Sequence, residues 1–143
     1  MNRGKNGMSE AVVSWSETDA SGRFHFTAPF RWAEDAEHAL YRRTTPSLDP
    51  ASFPRRTASA TYHRPLRAGD RYTVKLDVEC IGRTSITYRW HILSADIVCA
   101  EGSHTVVHID SSGRPAAVPE SLRSTLASED GTRRMEFRPD QGG

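Results

Sequence analysis

The chain has 143 residues, a hydrophobic fraction of 36% and a formal net charge of +1 at pH 7. This length accommodates one domain with a real core, and the small charge argues against nucleic acid or an anionic membrane surface as partner. No run approaches the ~20 apolar residues of a membrane span, and the N-terminus lacks the apolar core of a signal peptide. We expect a soluble, cytoplasmic protein with one domain at 10–126, a disordered tail at 1–9 and a flexible tail at 127–143.

In chain order, the first predicted elements are a strand and a long helix. The run EAVVSW is apolar enough for a strand that ends near Glu17, and a polar turn with Asp19 and Gly22 follows it. The segment TAPFRWAEDAEHALYRRTT then has helix signals: Thr27 or Ala28 as cap, an early proline, acids near its start and arginines near its end. Its apolar side carries small residues, which predicts close packing against another element.

Beyond a proline-rich loop, the hydrophobic period changes from helical to alternating. Apolar residues recur at every second position in 72–80, in 86–92 and in 97–109, where Thr105 and Val107 share the apolar parity. This pattern predicts an antiparallel meander, and PESLRSTLA predicts a short helix after it. Cys80 and Cys99 lie in apolar strand-like runs and are expected to be reduced core residues. The order of elements predicts an α+β fold.

Three familiar kinds of site are not supported by the sequence. The sequence contains no Gly-x-Ser-x-Gly elbow, the motif that would indicate a Ser/His/Asp hydrolase. His104 and His108 have the spacing of a helical zinc site, but four residues of a strand span ~13 Å, so one metal ion cannot bind both. We expect them on a wet or interface face of an edge strand, and we expect no metal site. The aromatics of GRFHF precede a helix, whereas single-strand nucleic-acid binders carry such aromatics on strands.

The turn WSETDASGRFHF holds the strongest candidate for chemistry. An Asp in such a turn ordinarily bonds its own backbone. Asp19 has further neighbours, since Gly22 permits close backbone approach and the next helix directs free N–H groups and a partial positive charge toward the turn. His63 is an ordinary surface or core residue unless its strand runs beside this turn, and Arg83 is a solvated turn residue unless it holds a phosphate. The residues alone leave these interpretations open.

Four segments, taken together, resemble the hotdog-fold thioesterases, in the branch that includes 4-hydroxybenzoyl-CoA thioesterase. They are WSETDASGRF, FRWAEDAEHAL, YHRPLRAGD and IGRTSITYRWHI, in this order along most of the chain. The resemblance implies an antiparallel β-sheet wrapped around a long central α-helix. It also implies a thioester hydrolase for an acyl-CoA or acyl-carrier-protein thioester, with no cofactor beyond the CoA or phosphopantetheine of the substrate. Relatives build their sites between subunits, so a homodimer or homotetramer is expected.

The resemblance also implies roles for particular residues. The family's catalytic carboxylate falls on Asp19, its carbonyl-polarising backbone amide on Phe26, and a non-catalytic acid on Glu17. The phosphate- and nucleotide-contacting turn falls on Arg83, Thr84 and Ser85. The other expected substrate contacts are Gly22, His25, Phe30, Trp32 and His63. Many relatives have Asn and Tyr where this chain has Ala28 and Pro29, and some have a histidine where it has Phe26.

The expected chemistry needs one ionised carboxylate. With an ordinary pKa near ~3.9, Asp19 either attacks the carbonyl to give a mixed anhydride or activates water, and the sequence leaves both open. A thiol has a pKa near ~8.5, so it leaves as thiolate without a strong general acid. Two other functions use the same fold. One is a protein that binds an acyl chain or carrier protein without hydrolysis, which the Ala28 and Pro29 departures leave open. The other is a dehydratase, which would need a His and acid pair with His63 or His25 as the histidine.

Overall fold

The computed structural model describes residues 11–127 and 133–137, so the predicted tail at 1–9 lies outside the described residues. Two short 3₁₀ helices, Trp15–Glu17 and Pro50–Ser52, accompany the regular elements. In this part of the chain the regular elements are β1 (Ala11–Val12), α1 (Ala28–Thr44), β2 (Arg55–Tyr62), β3 (Arg71–Ile81), β4 (Ser85–Ser94), β5 (Ile97–Val107), α2 (Glu120–Ala127) and β6 (Arg133–Phe137).

The strands form one antiparallel sheet in the order β1-β3-β4-β5-β2, and β6 also pairs with β3. Helix α1 packs on one face of this sheet, and the buried side chains of the helix and the central strands form one core. The α+β class and the hotdog arrangement, a sheet around a long helix, are confirmed. No helix among the described residues is long and apolar enough to cross a membrane.

Helix α1 begins and ends close to where the sequence predicts. Thr27 is its N-cap residue, a proline lies in its first turn, and the Thr45 N–H bonds the Tyr41 carbonyl at its end (2.8 Å). Ala33, Ala36 and Ala39 are at most 2% exposed. Small side chains therefore lie on the buried side of the helix, where they permit close packing against the sheet.

The meander β3–β4–β5 is confirmed, but two bulges change which residues face the core. Val78 pairs with Tyr88 and Cys80 with Thr87, so Glu79 between them has no opposite residue on β4, and Cys80 is exposed. Its prediction as a core residue was wrong, whereas Cys99 is buried; both thiols are free. A second register shift falls at Cys99. Beyond it the buried residues of β5 are Ala100, His104 and Val106, instead of the predicted parity of Thr105 and Val107.

The ends of the domain depart from the prediction. Among the described residues the first strand covers Ala11–Val12 and ends well before Glu17, because the Glu17 carboxylate accepts a hydrogen bond from the Ser14 N–H (2.9 Å) and a 3₁₀ turn follows. In the segment predicted as a flexible tail, the backbone of 133–137 forms β6 and pairs with 74–78 of β3. The free N–H and C=O groups of an edge strand favour such pairing even with a short, charged segment. The predicted terminal helix is α2.

Candidate active site

Asp19 lies in a tight turn closed by its own backbone. The Asp19 N–H bonds the Arg23 carbonyl (2.8 Å), and the Gly22 N–H bonds the Asp19 carbonyl (2.9 Å). Gly22 has a φ of 81°, in the left-handed region that strains other residues. Thr18 and Phe24 then pair in an isolated antiparallel bridge. The sequence Asp-Ala-Ser-Gly-Arg therefore holds the carboxylate on a fixed backbone.

The Asp19 carboxylate is ionised and exposed. Oδ1 accepts hydrogen bonds from the Ser21 N–H (2.8 Å) and the Ser21 hydroxyl (2.5 Å). These two bonds, the hydroxyl first, hold the pKa of Asp19 below its usual value. Because both Ser21 donors bind Oδ1, Oδ2 stays available toward solvent among the described residues. A carboxylate with one fixed and one available oxygen can act as nucleophile or base.

Glu17, two residues earlier, has a different environment. Its Oε1 accepts from the Ser14 N–H (2.9 Å) and its Oε2 accepts from the Trp32 indole N–H (2.8 Å). Trp32 is 1% exposed and stacks on Tyr72 with ring centroids 4.2 Å apart. Glu17 thus ties the turn to α1. The structure places Trp32, predicted as a substrate contact, in the core and not on an accessible surface.

Phe26 and His25 connect the turn to the start of α1. The Tyr62 hydroxyl donates to the Phe26 carbonyl, and within the described residues no acceptor binds the Phe26 N–H. The His25 N–H bonds the Glu17 carbonyl (2.7 Å). The His25 Nδ1 lies 2.7 Å from the Thr27 hydroxyl oxygen and 3.2 Å from the Thr27 backbone nitrogen. A backbone donor and an imidazole therefore lie just beyond the Asp19 turn.

The segment after β2 that contains His63 runs beside this turn. The Phe24 N–H bonds the Leu66 carbonyl (2.8 Å), and Tyr62 reaches Phe26. The His63 ring, however, bonds Glu101, with Nε2 2.7 Å from Oε2. Phe30 is half-buried at the start of α1, where its ring meets Trp90 edge-on. His63 therefore lies near the turn, but its imidazole is bound to the Glu101 carboxylate.

The turn of Arg83, Thr84 and Ser85 lies at the other end of β3. The Asp19 turn contacts the chain just before β3, where Arg23 bridges to Arg67, whereas Arg83 follows the last residue of that strand. Since β3 has 11 residues, the two ends are separated by roughly 35 Å. Arg83 is exposed, and Arg123 fixes this turn through the Gly82 carbonyl (2.7 Å). One chain does not bring Asp19 and Arg83 together.

The histidines of HTVVH have separate structural roles. His104 lies on β5 and faces the protein core, and β5 lies between β4 and β2. The predicted wet or edge-strand position was therefore wrong. His108 Nδ1 lies 2.9 Å from the Ala117 carbonyl oxygen. Among the described residues, no group of three or more metal-ligating side chains is arranged to hold a metal ion.

A buried ionic cluster, not predicted from the sequence, lies beneath α1. Glu37 is 0% exposed, and its Oε1 lies 2.7 Å from Arg55 Nη2 and 2.8 Å from His104 Nε2. The Tyr41 hydroxyl donates to Oε2 (2.5 Å) and lies 3.0 Å from that of Tyr88. Burial raises the pKa of Glu37, but the His104 hydrogen bond and the Arg55 charge outweigh it and lower the pKa overall. The sequence signal that could have indicated this cluster was the position of Glu37 on the apolar stripe of the predicted helix.

Two surface depressions adjoin the Asp19 turn. The larger, about 570 Å³, has the size of a small-molecule site and contains Asp19. The smaller, about 360 Å³, lies at the start of α1 and is lined by His25, Thr27 and Arg31, among others. They share Ser16 and Thr18. The larger depression is lined by Trp15, Ser16, Thr18, Asp19, Ala20, Gly22 and Ala68.

A family model described as the thioesterase-like superfamily matches residues 13–126. The chain belongs to this family, and the predicted resemblance to hotdog thioesterases is confirmed. Fold and family together define the class of protein: a hotdog-fold thioester hydrolase.

Individual relatives agree with this class. The chain is 29% identical over 123 residues to a 1,4-dihydroxy-2-naphthoyl-CoA hydrolase from Synechococcus sp. (strain CC9605), covering 78% of this chain and 83% of the relative. A structure of a predicted thioesterase from Bacillus stearothermophilus is 28% identical, with a TM-score of 0.74 over 85% of this chain and 96% of that one. A Thermus thermophilus thioesterase in complex with coenzyme A and zinc shares the fold, at 23% identity and a TM-score of 0.78 over 86% and 92% of the two chains.

Proposed function

We propose that this protein hydrolyses the thioester of an acyl-CoA and that Asp19 is its catalytic carboxylate. The observation that carries the proposal is the place of the Asp19 carboxylate: it has one available oxygen, lines the 570 Å³ depression and lies just before the start of α1. The names of the relatives support CoA as the thiol and a flat aromatic acyl group. An acyl carrier protein is the alternative carrier of the acyl group.

The chemistry at this site follows from the groups around Asp19. Oδ2 attacks the thioester carbonyl or takes a proton from an attacking water, the C–S bond breaks, and the thiolate leaves and is protonated by solvent. In the first route, water then hydrolyses the mixed anhydride. The Phe26 N–H and the positive end of the α1 dipole stabilise the developing oxyanion. One such donor typically contributes ~10²- to 10³-fold.

Tyr62 supports the oxyanion donor in this scheme. Its hydroxyl binds the Phe26 carbonyl and thereby fixes the backbone between the turn and the helix. A preorganised donor is more effective than a mobile one, because no reorganisation is needed when charge develops. Tyr62 is therefore a positioning residue that does not itself touch the substrate.

We further propose that the working unit is a homodimer. Strand β2 is an edge of the sheet, and its outer edge pairs with no strand among the described residues. Antiparallel pairing of two β2 strands would lay the Arg83 end of one copy beside the Asp19 end of the other. This arrangement lets Arg83, Thr84 and Ser85 of the second copy contact the phosphates of a CoA whose thioester lies at Asp19. A homotetramer would be a pair of such dimers.

The test is thiol release from a panel of thioesters with wild type and Asp19→Asn. The panel contains an aryl-CoA, a straight-chain acyl-CoA and the same acyl groups on a carrier protein. We expect hydrolysis of at least one CoA thioester and a loss of ~10²- to 10⁴-fold in kcat with Asp19→Asn. Equal rates in the two proteins would remove Asp19 from the chemistry. Saturable binding without turnover of any thioester would instead identify a protein that only binds acyl groups.

A further inference from the structure

Trp15 exposes its side chain beside the candidate active site. Its relative exposure is 83%, the highest among the large hydrophobic residues that the structure describes as exposed. Tryptophan is highly buried on average, because its ring contributes a large apolar area. Trp32 and Trp90, at 1% and 0% exposure, follow that rule. The exposure of Trp15 therefore requires an explanation.

Hydrogen bonds hold the backbone that carries this indole. Trp15 begins the 3₁₀ helix, and its carbonyl accepts hydrogen bonds from the Thr18 N–H (3.1 Å) and the Thr18 hydroxyl (2.7 Å). The preceding Ser14 is bonded to Glu17, which in turn is bonded to the buried Trp32. The backbone at Trp15 is therefore tied to the buried Trp32 through Glu17 and is not part of a loose end.

Trp15 lines the same depression as Asp19. The other residues around this depression are small or polar, with Ala20, Gly22 and Ala68 as the nonpolar ones. The surface therefore offers one large flat ring next to the carboxylate, among short side chains. A flat ligand group fits this combination better than a branched or bulky one.

We infer that Trp15 is a specificity-determining residue whose indole stacks on a planar aromatic acyl group when the thioester carbonyl lies at Asp19. The inference rests on the proposed function and extends it to acyl selection. Only the acyl group and the sulfur end of pantetheine are bonded directly to that carbonyl, and only an aryl group presents a flat π-face there. The adenine ring lies a whole pantetheine arm away. Stacked aromatic pairs contribute beyond area burial, enough for about a tenfold effect here.

The test compares wild type, Trp15→Ala and Trp15→Phe on naphthoyl-CoA and hexanoyl-CoA, with Ile97→Ala as a control that removes another exposed apolar side chain. Ile97 is 43% exposed and does not line the depression. We expect Trp15→Ala to lower kcat/KM for naphthoyl-CoA about tenfold, mainly through KM, and to leave hexanoyl-CoA within about twofold. Trp15→Phe keeps a ring and retains most of the preference, and Ile97→Ala changes neither substrate.

A second measurement does not need turnover. In Asp19→Asn, bound naphthoyl-CoA should quench tryptophan fluorescence, and the added Trp15→Phe change should remove most of that quenching because the other two indoles are buried. Equal losses on both substrates, unchanged quenching in the double variant, or a lower oligomer mass of Trp15→Ala by light scattering would overturn the inference. If wild type hydrolyses neither thioester but the quenching depends on Trp15, the proposed hydrolysis fails and the aryl contact stands.

Discussion

Two turns of this protein have almost the same sequence and geometry: 19–23, Asp-Ala-Ser-Gly-Arg, and 110–114, Asp-Ser-Ser-Gly-Arg. In each, Oδ1 of the aspartate accepts from the N–H and hydroxyl of the serine two residues later, at 2.8 and 2.5 Å for Asp19 and 2.9 and 2.6 Å for Asp110. In each, the aspartate N–H bonds the arginine carbonyl, and the glycine has a φ above 80°.

The two aspartates also share their electrostatics. Both are fully exposed, and in both the serine hydroxyl is the first cause that lowers the pKa. Turn geometry and a lowered pKa therefore follow from the local sequence and do not mark a catalytic residue. Only the Asp19 turn lines the 570 Å³ depression and leads directly into α1. The surroundings, and not the turn, distinguish the two aspartates.

A third carboxylate, Glu37, sharpens the comparison because it is ionised but buried. Glu37→Ala would leave Arg55 and His104 without their anion, and we expect a loss of about 3–5 kcal/mol in the free energy of unfolding, measured with urea. Glu34→Ala is the matched control, since Glu34 lies on the same helix, 4.0 Å from the same Arg55, but its side chain is 44% exposed. It should cost less than about 1 kcal/mol. Equal losses for the two variants would contradict the assignment of Glu37 to the core.

The glycines of the two turns test whether backbone geometry matters only at the site. Gly22→Ala and Gly113→Ala should each cost about 1–2 kcal/mol of stability, because both glycines have positive φ. An added Cβ meets only Arg67 Nη1, at 3.7 Å, for Gly22 and nothing within 4 Å for Gly113. We expect Gly22→Ala alone to lower kcat, because it shifts Asp19. A similar loss of kcat in both variants would mean that stability, and not position, limits activity.

The serines give the smallest effect at neutral pH. Removing the Ser21 hydroxyl raises the pKa of Asp19 toward its usual value, since this bond stabilises the ionised form. The active form is ionised, so the acid limb of kcat/KM in Ser21→Ala should move to higher pH, while the rate at pH 7 stays within about twofold. Ser112→Ala removes the matching bond at Asp110 and should leave the pH profile unchanged. A shift of the acid limb in both variants, or in neither, would mean that this limb does not report the ionisation of Asp19.

Much of this structure could be predicted from local patterns. The caps and arginines of α1 and the alternation of β3, β4 and β5 are local signals, and they located these elements closely. The bulge at Cys99 reversed the core-facing parity of β5. It could not be predicted, because a single extra residue in a strand leaves no mark in an alternating sequence pattern. The pairing of β6 with β3 could likewise not be predicted, since the charged segment of β6 becomes a strand only beside an open sheet edge.

The order of motifs in the sequence indicated Asp19, Gly22 and Phe26 as candidate site residues, and their roles remain predictions. Partners that lie far apart in the chain could not be predicted. Glu37 and His104 are 67 residues apart and meet only because α1 crosses β5. The exposure of Trp15 and the burial of Trp32 depend on tertiary packing, so the same residue type had opposite outcomes in neighbouring elements.

The most direct test of the central claim is a comparison of Asp19→Asn with Asp110→Asn. Both changes remove the charge from an exposed carboxylate in the same kind of turn and keep an oxygen for the serine donors. We predict that kcat for thioester hydrolysis at pH 7 falls by ~10²- to 10⁴-fold in Asp19→Asn and stays within about twofold of wild type in Asp110→Asn. Full activity in Asp19→Asn, or an equal loss in both proteins, would contradict the assignment of Asp19 as the catalytic carboxylate.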